Sequence, residues 1–101
     1  MGAASCFGSN RRFLGELAIA LRDWDTMVDD FERAIETNRK WNNRPVVALT
    51  QVSYAMGLVE RGAPGDRERA DELLREAVAT ADELGMPVIN RRAEKLKGQA
   101  L

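Results

Sequence analysis

The chain has 101 residues, 45% of them hydrophobic and 31% charged, with 15 basic residues against 16 acidic ones. That length allows one domain with a modest core and that composition excludes a disordered tail, while the near-neutral balance argues against non-specific nucleic-acid binding, which needs a basic excess. There is no histidine and a single cysteine, Cys6, so the commonest general base is missing, no internal disulfide can form, and a reducing cytoplasm is the expected setting. Apolar runs such as Val46-Val47-Ala48-Leu49 are too short to span a bilayer, and Met1 to Asn10 lacks the features of a secretory signal.

Residues 1–10 read as a loosely ordered arm ahead of a helical domain over 11–101. A first helix is expected over about 11–22, with Phe13, Leu14, Leu17, Ala18 and Leu21 forming an apolar face. A second starts after Trp24-Asp25, with Asp25 placed to cap it. Its stripe is Met27, Phe31, Ala34 and Ile35, extended to Trp41. A third opens at Pro45, because a first turn tolerates a residue without an N–H. It carries Val47, Leu49, Val52, Ala55, Met56 and Val59.

Gly62-Ala63-Pro64-Gly65 interrupts the pattern, and Asp66 is placed to cap a fourth helix. That helix shows Ala70, Leu73, Leu74, Ala77, Val78, Ala81 and Leu84 at helical spacing, and Gly85 stands where a left-handed residue ends a helix. Pro87 opens a fifth helix with Val88, Ile89, Ala93 and Leu96. The fold class is therefore all-α, with five helices and no strand.

An internal repeat relates these helices. Phe31-Glu32-Arg33-Ala34 matches Leu74-Arg75-Glu76-Ala77, and Leu17-Ala18 matches Tyr54-Ala55. The order becomes A, B, A, B, A, a pattern of stacked helical hairpins. Leu14-Gly15, the aromatic Trp24 at the turn, and Phe31 with Ala34 carry a resemblance to the tetratricopeptide repeat, covering about residues 11–97. Gly15 and Ala34 are small enough for two helices to approach closely, with Phe31 filling the gap. Met27 stands where that family usually has alanine, Arg39 where it often has proline, and the second unit lacks the Leu-Gly pair.

A narrower series includes Phe7-Gly8, Arg12-Phe13-Leu14-Gly15-Glu16-Leu17, Arg61-Gly62-Ala63-Pro64-Gly65-Asp66-Arg67 and Glu83-Leu84-Gly85-Met86-Pro87. It resembles the C-terminal repeat region of large bacterial ATP-binding signalling proteins, both adenylate-cyclase-like and transcriptional regulators. The phosphate-binding Gly-x-x-x-x-Gly-Lys loop of such proteins has no counterpart in this sequence.

Chemistry-bearing clusters have plainer explanations. Asp23, Asp25, Asp29 and Asp30 lack the glycine turn of a calcium loop and suit a helix N-terminus. Gly62 to Gly65 lacks the lysine or preceding strand of a phosphate cradle. No nucleophile–base or acid–base pair can be assembled, so no catalysis, cofactor or metal is expected.

The tetratricopeptide resemblance implies a right-handed superhelix whose A helices line a concave, partner-binding face. Carried onto this sequence, that face comprises Arg12, Glu16 and Ile19, then Leu49, Ser53 and Met56, then Arg91 and Lys95. Leu49 and Met56 fit core packing almost as well. The expected function is a protein–protein interaction module that binds a protein or peptide. The alternative is a ligand-sensing domain with a small molecule between the repeats. The first helix is expected to leave apolar surface open through Phe13, Leu17 or Ile19, which a two-fold homodimer would cover, unless Phe7 plugs the gap.

Overall fold

The computed structural model describes residues 10–100, with side chains over 14–96. Cys6 and Phe7 therefore lie outside the described residues, as do the side chains of Arg12 and Phe13. The fold is all-α: α1 (Asn10–Leu21), α2 (Trp24–Lys40), α3 (Arg44–Arg61), α4 (Asp66–Leu84) and α5 (Pro87–Ala100), with no strand among the described residues.

The turns explain the element order. Arg22 at φ 58°, Asn42 at φ 58° and Gly85 at φ 71° each reverse the chain in the left-handed region. In each case the next residue's N–H reaches back five residues: Asp23 to Ala18, Asn43 to Asn38, Met86 to Ala81, at 2.8–2.9 Å. This closes the orphan carbonyls of a helix end and folds the chain back sharply. The α3–α4 turn differs: Gly62 is left-handed at φ 65°, and Asp66 fixes the loop. The Asp66 carboxylate takes two hydrogen bonds from the Arg61 guanidinium at 2.7 Å and one from the Ala63 N–H at 2.9 Å.

Each helix packs against the next, and the odd helices also touch, α1 on α3 and α3 on α5. No backbone contact joins α2 to α4; long side chains span them instead, in the ion pairs Arg39–Glu76 (3.2 Å) and Arg69–Glu32 (3.3 Å). The odd helices are thus drawn together on one side while the even ones stand apart on the other.

The core runs through the middle of the stack. Phe31 is fully buried and its ring stacks on Tyr54 at 5.4 Å between centroids. Gly15 makes this possible: a Cβ there would lie 2.8 Å from two Phe31 ring carbons. Gly57 serves the same purpose in the neighbouring layer, where Met27 and Ile19 press against its backbone.

Several expectations need correction. Asp23, not Asp25, caps α2: it accepts from the Thr26 N–H at 3.5 Å and from its hydroxyl at 2.8 Å. Gly65 occupies the N-cap of α4, and Asp66 is its first residue. Trp41 leaves the stripe of α2, because it sits at the helix terminus and is 75% exposed. Leu84 and Val88 are exposed at the ends of α4 and α5. On α1 the expected close approach at Gly15 and the expected exposure of Leu17 are both found, but the apolar face divides: the small pair Gly15 and Ala18 lies inward, while Leu14, Leu17 and Leu21 face outward at 47%, 55% and 69% exposure. The Phe31 ring occupies the space beside Gly15, so the narrow side of α1 must face α2.

Candidate functional site

The closely spaced odd helices enclose a groove of about 430 Å³. Glu16 comes from α1, Val52, Ser53 and Met56 from α3, and Arg92, Lys95 and Leu96 from α5. On α3 the lining residues stand at i, i+1 and i+4 (Val52, Ser53, Met56) and on α5 at i, i+3 and i+4 (Arg92, Lys95, Leu96), so on each helix they fall on one face. Val52 and Leu96 are buried and form an apolar floor, with Met56 above them at 42% exposure. The Ser53 hydroxyl donates to the Glu16 carboxylate at 2.8 Å, tying α1 to α3 at the groove's edge. Arg92 and Lys95, both exposed, form the opposite wall and have no hydrogen bond or ion pair among the described residues.

Four of the eight positions expected on the concave face line this groove: Glu16, Ser53, Met56 and Lys95. Arg12 lies outside the described side chains. Ile19 is half-buried against Gly57, where it packs α1 onto α3. Leu49 is half-buried against the core and does not line the groove. Arg91 is exposed but turned away, and its neighbour Arg92 takes the lining position. A one-residue error rotates a side chain by about 100° on a helix, which accounts for the exchange. Sequence reasoning misses Val52, Arg92 and Leu96; Val52 and Leu96 carry the ordinary signal of core residues, which gives no hint of a groove.

A second cavity, of about 410 Å³, opens between the end of α2, the start of α3 and α4. Its polar groups are largely spoken for. Glu76 accepts from Gln51 Nε2 at 2.8 Å and from Arg39 at 3.2 Å, and Arg44 pairs with Glu83. The buried Gln51 Oε1 has no hydrogen-bond partner among the described residues.

A third polar cluster fastens three helices together. The Tyr54 hydroxyl donates to Glu32 at 2.8 Å, and Arg69 donates to the same carboxylate oxygen while lying 5.8 Å over the Tyr54 ring. Burial, then the hydrogen bond and charge of Glu32, push Tyr54 up to about 12.

The aspartates at the start of α2 do not form a metal centre. Asp23 caps the helix, Asp29 pairs with Arg33 at 3.1 Å and Asp30 is buried, and no group of three metal-ligating residues exists among the described ones. No described helix is long and apolar enough to cross a membrane. No protein-family model, curated protein or solved structure matches the chain.

Proposed function

We propose that this chain is a protein-interaction module of tetratricopeptide type, of the kind found in the repeat regions of bacterial signalling regulators. Its binding surface is the groove between α1, α3 and α5. The observation that carries this is the convergence of Glu16, Ser53, Met56 and Lys95, from three helices, on one open groove with an apolar floor. Such a groove offers an extended segment both desolvated area and fixed polar partners. A thioether at its centre adapts to side chains of different shape.

The rival, a small molecule held between A and B helices, calls for an enclosed cavity there. The cavity beside Gln51 opens among exposed residues, and its charged groups already neutralise one another. A peptide-display selection on the intact chain tests the proposal. Peptides that bind the chain should fail to bind Met56→Asp and should still bind Arg75→Glu, a change on exposed α4 surface. Selected peptides indifferent to Met56 would overturn it.

Self-association belongs to the same proposal. Leu14, Leu17 and Leu21 lie three and four residues apart, the spacing of a helix–helix seam, so two copies related by a two-fold axis would cover each other's stripe. Light scattering should give twice the 11.2 kDa chain mass, reverting to the monomer for Leu17→Glu. A monomer that persists at high concentration contradicts the dimer.

A further inference from the structure

We infer that the groove takes an acidic peptide segment that carries an apolar side chain, an assignment that rests on the proposed interaction role. Its first support is the distribution of charge pairing. Elsewhere several arginines are neutralised across helix boundaries: Arg39 by Glu76, Arg61 by Asp66, Arg69 by Glu32. Arg92 and Lys95, like Arg22, Lys40, Arg75 and Arg91, form no ion pair among the described residues, but only these two line the groove. They stand three residues apart on one face of α5, exposed at the groove, with no acidic partner among the described residues. The one carboxylate in the lining, Glu16, accepts from Ser53 of α3 at the groove's edge, across from the two cations. The groove is therefore locally positive on a chain whose net charge is −1. An arriving carboxylate would find two unpaired cations without having to displace an existing ion pair.

The second support is the floor. Val52, Leu96 and the half-open Met56 present apolar surface directly beneath those cations. A purely acidic segment would leave that surface wet, whereas a leucine or phenylalanine next to the carboxylates would cover it. The same floor, together with Glu16, disfavours a nucleic-acid backbone, for which two cations supply little neutralisation.

The test uses four fluorescein-labelled peptides of equal length. The first has two leucines set among glutamates; the second replaces the glutamates by lysines; the third replaces the leucines by serines; the fourth replaces the glutamates by glutamines. Anisotropy titrations against the full chain should show saturable binding of the glutamate–leucine peptide alone, weakening as salt rises. The Arg92→Glu, Lys95→Glu double variant should bind it at least about tenfold more weakly and gain affinity for the lysine–leucine peptide. Lys40→Glu with Arg75→Glu makes the same change in net charge outside the groove and should leave binding unchanged. Circular dichroism of all variants should stay native, because the four substituted side chains are exposed.

Equal binding of the glutamate–leucine peptide by the chain and the Arg92/Lys95 variant overturns the inference. So does loss of binding in both charge-reversed variants, which would mark a net-charge effect. If only the lysine–leucine peptide binds, and Met56→Asp abolishes that binding, the acidic assignment fails while the groove survives. If no peptide binds, or Met56→Asp changes nothing, the interaction role fails with it. A dimer that dissociates in the Arg92/Lys95 variant would make a second copy the occupant and would also overturn the inference.

Discussion

Replacing Gly15 by alanine sets two effects of known size against each other. In the middle of a helix, alanine is favoured over glycine by about 1 kcal/mol. At this position the added methyl would lie 2.8–2.9 Å from the Cε1, Cζ and Cδ1 atoms of Phe31. That ring cannot swing aside, because it is fully buried and stacked on Tyr54. Overpacking of this kind costs about 1–3 kcal/mol, so Gly15→Ala should be neutral to destabilising by about 2 kcal/mol. The sign should reverse once the ring is removed. In a Phe31→Leu background, Gly15→Ala should stabilise, by up to about 1 kcal/mol. Urea unfolding of the four proteins of this cycle, followed by circular dichroism, measures the coupling directly. A Gly15→Ala substitution that stabilises equally in both backgrounds would refute the close approach of α1 to Phe31.

Phe31→Ala should cost about 3–5 kcal/mol, a large share of the stability of a domain this size, and a loss below about 1 kcal/mol would contradict its placement. Asp66 is held below its ordinary value, first by the Arg61 hydrogen bonds and then by the Ala63 N–H, against burial. Asp66→Asn should therefore cost about 1–3 kcal/mol at neutral pH. The gap to the unsubstituted chain should close as the pH falls below 3.8 and through the folded value of Asp66. A gap of constant size down to acid pH would contradict the ion pair. Tyr54 is the only tyrosine, so ultraviolet titration reads it alone, and its midpoint should fall near 12. Because folding raises that value, the stabilisation is complete below about pH 10 and is lost as the pH rises through the folded midpoint. Glu32→Gln should lower the midpoint; an unchanged one would contradict the hydrogen bond.

The helix order is legible in the sequence because Pro45, Gly62, Gly65, Gly85 and Pro87 punctuate it and the apolar spacing between them is regular. The Gly15–Phe31 contact is legible for a similar reason: a glycine inside a helix beside a large ring leaves few physical readings. The left-handed turns at Arg22 and Asn42 are harder to see. Arginine carries no signal for that conformation, and three hydrogen-bonded turns of one kind become visible only in three dimensions. Periodicity alone groups Ala18 of α1 with Leu14, Leu17 and Leu21, because leucines outweigh glycine and alanine in any apolar count. Packing is decided instead by which face admits the Phe31 ring. Of the positions expected on the concave face, Glu16, Ser53, Met56 and Lys95 line the groove, whereas Leu49 does not and Arg92 lines it in place of Arg91, its chemically alike neighbour, from which only the helix phase separates it.

Chemical-shift mapping addresses the central proposal most directly. Titration of the ¹⁵N-labelled chain with the glutamate–leucine peptide should perturb amides in α1, α3 and α5 around Glu16, Ser53, Met56 and Lys95. Amides of the exposed α4 residues Glu72 and Arg75 should stay in place. Perturbations centred on α2 and α4, or none at saturating peptide, would contradict a binding role for the groove.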